Sequence, residues 1–417
     1  MTVDEGTLGT EGKDAQTLPP GLDTSRPMWH IVLTLAWPVL IQQGLILCVG
    51  LYDRWLAGNF ELGDGTDKTL QVDYQAAQTT ANYLIWTISS FSAIVSVGAT
   101  ALVARFVGAR DRDGAIHVTN QSILMAFTFG LLGSVVGLSI ISDVIRLIGA
   151  DGRRVEIATE FLHPILLLWS MQMIEQAGIA CLVGAGNTRI GLYVLGGVAL
   201  LNMPLASICF RGIGDFQGFG FQGIAIGTAL SHTIGAIAVL LVLAKGQSGL
   251  RLKMRWMIPD FKLIRRILWV SIPATVDVLS ICLCQLWFIR MINEIGPTAS
   301  AAHGIAIIWE GLGYLSGQAF ATAAAALVGQ NLGAKDPHQA ARCGWTALGL
   351  GILTMTVMGV IFYVFAPEMF ALFCPYEHQR DVIAEGVPVL RLVAFSMPSL
   401  ACIIILTGAC RTQPSAS

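Results

Sequence analysis

Charged residues are scarce in this chain of 417 residues: Asp, Glu, Lys and Arg together make up 12%, against 54% hydrophobic residues. Soluble domains carry roughly 25% charged residues. This shortage excludes an ordinary soluble fold, because many long uncharged runs reach the ~20 residues that cross a ~30 Å hydrocarbon core. The chain also lacks an excess of positive charge, with a net charge of -2, so no nucleic-acid partner is expected.

Motifs of catalysis and of secretion are missing as well. There is no Walker motif, no HExxH, no GxSxG and no clustered His/Cys ligand set, which argues against an ATP-driven pump or a membrane hydrolase. We therefore predict that the chain is not an enzyme and uses no cofactor.

The 9 cysteines form no CxxC pair and are typical of packing residues. Residues 1–27 lack the features of a signal peptide and predict a disordered cytoplasmic tail.

About ten apolar spans are present instead. Backbone polar groups in lipid must be satisfied within the segment, and alternating strand patterns are absent, so each span is predicted to be a helix. The fold class is all-α, that of a polytopic membrane protein. The spans lie near residues 29–58, 76–106, 115–142, 155–182, 190–210, 222–244, 264–291, 301–332, 343–365 and 382–407.

Lys and Arg placement predicts the orientation, since cytoplasmic loops retain positive charge. With the N-terminus in the cytoplasm, 16 of the 25 basic residues fall on the cytoplasmic side. Seven of them lie between residues 245 and 266, in the longest cytoplasmic loop. We expect a multi-pass monomer in the plasma (inner) membrane. The predicted parts are an N-lobe at 28–244, a connector at 245–263, a C-lobe at 264–410 and an aberrant tail at 411–417.

An internal repeat is the most informative pattern. Residues 103–111, Val-Ala-Arg-Phe-Val-Gly-Ala-Arg-Asp, return at 328–336 as Val-Gly-Gln-Asn-Leu-Gly-Ala-Lys-Asp. One unit contains six spans, an even number, so both copies enter the membrane in the same orientation. This predicts two pseudo-symmetric parallel-repeat bundles with a cavity between them near the midplane, a plan used by transporters.

The second copy of the repeat is shorter than the first. The first copy continues for two spans after Gly184-Ala185-Gly186, whereas the second ends seven residues after Cys410. The pattern therefore predicts a twelve-helix plan with about ten helices present, and a C-terminally truncated product.

The chain resembles the multidrug and toxic compound extrusion (MATE) family at these motifs. The resemblance rests on residues 35–38, Leu-Ala-Trp-Pro, followed by Tyr52-Asp53, and on the Gly-Ala-Arg-Asp end of the second span. Residues 184–189, Gly-Ala-Gly-Asn-Thr-Arg, are similar to the family's GxGDTR turn, and residues 301–306 with 327–334 are similar to its helix 8 signature. The resemblance covers about residues 30–410 and implies two six-helix lobes that export drugs.

Intramembrane carboxylates are the first candidates for cation coupling, because each costs roughly 2.5–3.5 kcal/mol at mid-bilayer unless a partner or a function holds it. Asp53 matches the aspartate of the family's helix 1 motif, which implies a H+ or Na+ site; the alternative is an interfacial ion pair with Arg54. Asn202 matches the helix 5 asparagine of one branch. Ala206 stands where that branch often has a second aspartate, so Glu175 and Gln176 are candidates for the missing ligands. Glu175 could instead be a buried acid bonded to a neighbouring helix.

Four further residues are candidates to line a substrate cavity: Gln42, Asp277, Trp309 and Glu310. Asp277 lies four residues after Pro273, on the same helical face, and Pro273 leaves a backbone carbonyl free. Glu310 resembles the helix 8 acid of other bacterial members. Pairing of these acids with Arg290 is the alternative. Trp309 could stack on a flat cation or simply pack.

These patterns predict a secondary transporter in which H+ or Na+ entry drives the export of organic cations, by alternating access between two lobes. Na+ is possible at Asp53, and no other metal site is predicted. Two alternatives stay open. One is a flippase for lipid-linked oligosaccharides, although four intramembrane acids suit such anionic substrates poorly. The other is an inactive truncated product.

Overall fold

A computed structural model describes residues 26–58, 69–147, 153–295, 297–371 and 380–411. These residues form thirteen α-helices and two 3-10 turns, and no strand occurs within the described ranges. The helices are α1 Met28–Gly58, α2 Thr69–Ser90, α3 Ala93–Gly108, α4 Arg112–Leu147, α5 Arg153–Leu167, α6 Trp169–Gly184, α7 Thr188–Arg211, α8 Phe221–Ala244, α9 Phe261–Ile295, α10 Pro297–Gly333, α11 Pro337–Val364, α12 Ala366–Ala371 and α13 Arg380–Cys410.

Most of these helices are long and apolar enough to cross a membrane. Nine spans qualify within the described ranges, one of which runs from α2 into α3, and α5 with α6 forms a further span bent by 52°. The bend follows Pro164, whose ring removes a helical hydrogen bond and favours a kink. The all-α, multi-span fold expected from the sequence is therefore confirmed.

The internal repeat is visible as two similar sets of helices. By position in the repeat, α1 corresponds to α9, α2 with α3 to α10, α4 to α11, and α5 with α6 to α13. The first copy breaks at Phe91 and Ser92, where α10 runs through unbroken. Helices α7 and α8 have no counterpart in the described part of the second copy. We refer to α1–α8 as the N-lobe and to α9–α13 as the C-lobe.

The repeated Gly-Ala-Arg/Lys-Asp motif forms the same tight turn in both lobes. Arg110 and Lys335 take left-handed backbone conformations, with φ of 58° and 63°. The carboxylates of Asp111 and Asp336 then accept hydrogen bonds of 2.9 Å from the backbone N–H groups of Gly114 and Gln339. Each aspartate thus caps the helix that follows, satisfying one of its free N–H groups. The motif is therefore repeated because it forms the same turn and the same helix cap in both lobes.

The ends of α3 and α10 meet across the two lobes. A β-carbon on Gly108 would lie 2.6 Å from the carbonyl carbon of Gln330, and one on Gly333 would lie 2.8 Å from that of Arg105. The Gln330 side chain donates a 3.2 Å hydrogen bond to the carbonyl of Gly184. The two lobes are consequently in backbone contact at this end of the bundle, which we call the glycine contact.

Two buried amides hold the segment between the lobes against α4. Asn120 donates to the carbonyl of Arg251 and accepts from the N–H of Lys253, both at 2.9 Å. Gln121 donates to the carbonyl of Trp256 at 2.7 Å and accepts from the N–H of Asp260 at 3.0 Å. The connector is therefore packed on the N-lobe up to the start of α9.

Candidate functional site

A carboxylate and an imidazole form a close pair inside the N-lobe. Glu175, in the middle of α6, lies with Oε2 2.6 Å from Nδ1 of His232 on α8. The glutamate side chain is completely buried, whereas the His232 side chain is 23% exposed. The other carboxylate oxygen, Oε1, is buried and has no hydrogen-bond partner among the described residues. An acid in this position is a candidate functional group, because a charge with one unsatisfied oxygen is costly inside a membrane protein.

Glycine at position 235 leaves the room that this acid occupies. A β-carbon on Gly235 would overlap Glu175 Oε1 and would lie 2.9 Å from the carboxyl carbon. Gly235 is one turn beyond His232, so the same face of α8 both pairs with the carboxyl group and makes space for it. The fold is thus locally adapted to hold Glu175 against α8.

Asn202 faces the same helix from α7. Its Nδ2 donates to the hydroxyl of Thr228 at 3.0 Å and lies 3.5 Å from that of Ser231. Its carbonyl oxygen is buried without a partner among the described residues. One face of α8 therefore carries a row of polar groups and one glycine at helical spacing, contacted by Asn202 and Glu175: Thr228, Ser231, His232 and Gly235. We call this row the α8 polar face.

Asp53 lies near the end of α1, a helix that packs against α7. Its neighbour Tyr52 is hydrogen bonded to Ser207 on α7, one residue after Ala206. One carboxylate oxygen of Asp53 is buried without a partner among the described residues. Its backbone carbonyl accepts a 3.3 Å hydrogen bond from Gln78. The side chain of Arg54, the alternative partner of Asp53, lies outside the described residues.

Two positions remain: Gln176, the last coupling candidate, and Ala206, where one branch of the family often has a second aspartate. Gln176 is half-buried and follows Glu175 by one residue, so it points about 100° away around α6. Ala206 is fully buried, and a β-carbon on Gly227 of α8 would lie 2.5 Å from its Cα. The α7 and α8 backbones touch at this point.

The substrate-cavity candidates are dispersed over α1, α9 and α10. Asp277 accepts a 3.1 Å bond from Arg411, and its side chain is 53% exposed. Glu310 and Trp309 are half-buried on α10, with the indole ring 6.5 Å from the ring of Phe362. Gln42 is half-buried on α1, where its Oε1 faces Gly191 of α7. The side chain of Arg290 lies outside the described residues.

One described cavity, of about 440 Å³, lies within the N-lobe and is lined from α4, α5 and α8 by Leu138, His163, Pro164, Leu167, Leu168, Gln222, Ile226, Ala229 and Leu230. None of the candidate residues lines it. Its lining is mostly apolar, with His163 and Gln222 as the polar side chains.

His232 is the site residue that the sequence reasoning overlooked. It is the single ionisable residue within the apolar run Phe221–Ala244. An ionisable group in the middle of a predicted span is by itself a functional candidate, and a search that included histidine beside the four acids would have found it. Its partner, 57 positions earlier, would have remained unknown.

Comparisons with known proteins agree with this architecture. The family model described as MatE matches the chain over residues 70–208 and again over 273–416. Two separate matches are what a repeated fold gives. Among curated relatives, a probable multidrug resistance protein NorM of Thermotoga maritima is 26% identical over 369 residues, covering 87% of this chain and 76% of its own length. A probable multidrug resistance protein YoeA of Bacillus subtilis is 22% identical, with 82% and 74% covered.

Solved structures share the fold at low sequence identity. A MOP superfamily transporter from Pyrococcus furiosus, described as having a binding pocket of reverse polarity, superimposes with a TM-score of 0.80 at 22% identity, covering 93% of this chain and 85% of its own. The outward-facing conformation of a multidrug resistance MATE transporter also gives a TM-score of 0.80, at 21% identity over 92% of this chain and 83% of its own. Since the family model covers well over half of the sequence, this chain belongs to the MatE family of multi-span membrane transporters.

Proposed function

We propose that this chain is a secondary antiporter in which entry of H+ or Na+ drives the export of organic cations. The buried Glu175 carboxylate carries the proposal, because an acid with an unsatisfied oxygen inside the bilayer needs a function or a counter-ion to offset its cost. Asp53 supplies a second such oxygen. The multidrug resistance names of several relatives support a drug-like substrate.

The energy source suits a protein without nucleotide motifs. One elementary charge that moves down a membrane potential releases ~2.3 kcal/mol per 100 mV. A single coupling cation per cycle can therefore oppose a moderate gradient of the exported compound. The predicted orientation puts the glycine contact at the cytoplasmic end, and we propose that this contact closes the path toward the cytoplasm.

Alternating access then requires this contact to open. Rocking of two similar bundles about a site between them is the mechanism used by transporters with such repeats. Asp53 and the α8 polar face lie within the N-lobe, where uptake of a cation changes the charge of that bundle. Gln42, Asp277, Trp309 and Glu310 remain the candidates for contact with the organic cation.

Ethidium efflux tests the proposal. Cells that express this chain should lose preloaded ethidium faster than vector controls, and Asp53→Asn should reduce the initial rate by about tenfold, because it removes a candidate coupling charge. Asp143→Asn is the matched control, since Asp143 is an exposed acid near the end of α4. Wild-type efflux no faster than the vector control contradicts the proposed function. Equal efflux by Asp53→Asn and wild type removes Asp53 from the mechanism.

A further inference from the structure

We propose that the coupling ion is a proton and that the Glu175–His232 pair is the group that carries it through the transport cycle. This inference rests on the proposed antiport function and assigns its ion and its binding site. It is independent of whether Asp53 also takes part.

The geometry favours a proton over a metal cation. At 2.6 Å, Oε2 of Glu175 is occupied by a hydrogen bond with Nδ1 of His232. An imidazole nitrogen that donates a hydrogen competes with any cation for that oxygen, and Na+ would need several oxygen ligands at once. The free oxygen, Oε1, is packed against the backbone of Gly235. Among the described residues, no three or more His, Cys, Asp or Glu side chains are grouped so that they could hold a metal ion.

The two groups differ in burial. Glu175 is completely buried, whereas 23% of the His232 side chain is exposed. In the proposed cycle a proton binds at Nε2 of the imidazole, the ring nitrogen not used in the contact with Glu175, while the Nδ1 proton is held by, or passes to, Oε2 of the carboxylate. Binding of one proton at Nε2 converts a pair with one net negative charge into a neutral pair. The neutral pair suits a closed apolar interior, and the charged pair requires access to water or to a cation.

The helices that carry the pair hold few other ionisable groups. On α6 the other ionisable group is Cys181, which contacts Thr119 and Ser122 of α4. The helices packed against α6 and α8 carry these ionisable groups: Arg105 on α3; Arg112, Asp113, His117, Asp143 and Arg146 on α4; Arg153, Arg154, Glu156, Glu160 and His163 on α5; Arg189, Tyr193, Cys209 and Arg211 on α7; and His303, Glu310 and Tyr314 on α10. His163 lines the apolar cavity beside Ala229 and Leu230 of α8. It is therefore the matched control for His232.

Two variants separate charge from shape. His232→Asn places an amide nitrogen near the position of Nδ1, so it can still donate to Glu175 but cannot take up a proton. Glu175→Gln keeps the volume of the side chain and removes its charge. His163→Asn makes the same exchange on α5.

The first measurement does not depend on transport. The full chain, with ring-nitrogen-labelled histidine, is titrated in lipid nanodiscs by NMR, and the His232 resonance is identified by its loss in His232→Asn. We expect the dependence of this resonance on pH to change in Glu175→Gln, because that variant removes the carboxylate that contacts Nδ1. Superimposable titrations, or a His232 resonance that does not change with pH, would overturn the proposal.

The second measurement is ethidium uptake into proteoliposomes, driven by a pH gradient or by a sodium gradient. We expect the pH-driven rate to fall by about tenfold or more in Glu175→Gln and His232→Asn, while His163→Asn stays within about twofold of wild type. Unchanged pH-driven transport in both variants, or wild-type transport that responds to sodium alone, overturns the proton assignment and leaves antiport standing. Absence of ethidium movement under either gradient counts against the proposed function, and the titration then decides the inference by itself.

Discussion

The glycine contact between α3 and α10 predicts how this transporter can be shifted between conformations. In Gly108→Ala the new β-carbon would lie 2.6 Å from the carbonyl carbon of Gln330 and 2.8 Å from its Cα. Carbon atoms in favourable contact are about 3.5–4.0 Å apart. The lobes must therefore separate by about 1 Å at this point, because both partners are backbone atoms of long helices and neither can rotate away.

The expected size of the effect follows from the cost of overpacking. Extra atoms forced into a well-packed contact cost about 1–3 kcal/mol. The strain exists only while the lobes touch here, so the closed state becomes less populated by about 5- to 150-fold relative to states in which this end is open. The better helix propensity of alanine, about 1 kcal/mol, applies in every state and does not change the balance.

Cys343 is a native reporter of this opening. It is fully buried, and its sulfur lies 3.2 Å from that of Met28, on α1 of the other lobe. Separation of the lobes at this end should expose it to a water-soluble maleimide, and mass spectrometry of the peptide distinguishes it from the other cysteines. We expect the labelling rate to rise in Gly108→Ala, in proportion to the shift.

The matched control is Gly349→Ala on α11, where a β-carbon would meet no atom within 4 Å. It should label at the wild-type rate. The steric reasoning is refuted if Gly108→Ala also labels Cys343 at the wild-type rate while remaining folded, or if Gly349→Ala accelerates labelling equally.

Two further predictions concern local hydrogen bonds. Gln121→Leu leaves backbone groups of the connector unpaired at a cost of about 1–3 kcal/mol, so trypsin should cleave faster within residues 251–255. Ser139→Ala removes an exposed hydroxyl from the same helix and should not change the cleavage rate. If Gln121→Leu is cleaved no faster than wild type, Gln121 does not hold the connector. Asp336→Ala should lower the thermal stability by about 1 kcal/mol through loss of the α11 cap, whereas Asp336→Asn should retain most of it. Identical melting of the two variants would show that the cap contributes nothing.

The helices and the repeat were largely predictable from the sequence because the membrane imposes strong rules. Long apolar runs must be helices, and the copies at 103–111 and 328–336 identify the repeating unit. The exact ends and breaks of the helices were less predictable. The break of the second span at Phe91 and Ser92 has no counterpart in α10, and the bend after Pro164 divides the fourth span into α5 and α6.

The candidate site was predicted only in part. Asn202 and Glu175 were predicted to belong to one coupling site with Asp53, and in the structure both contact the α8 polar face. For Asp277 the sequence suggested pairing with Arg290, whereas the structure adds a contact with Arg411 from the end of α13. Partners far apart along the chain depend on helix rotation and packing, which periodicity in one span does not determine.

The sequence by itself determined that the chain lies in the bilayer, that it is helical and that its two halves share one plan, because these properties follow from composition and from a repeated motif. Only the tertiary structure decided that Glu175 faces His232, that Gly108 and Gly333 are points of backbone contact, and that the connector is fastened to α4. Each of these depends on which faces of distant helices meet, and a few degrees of rotation about a helix axis would choose other partners.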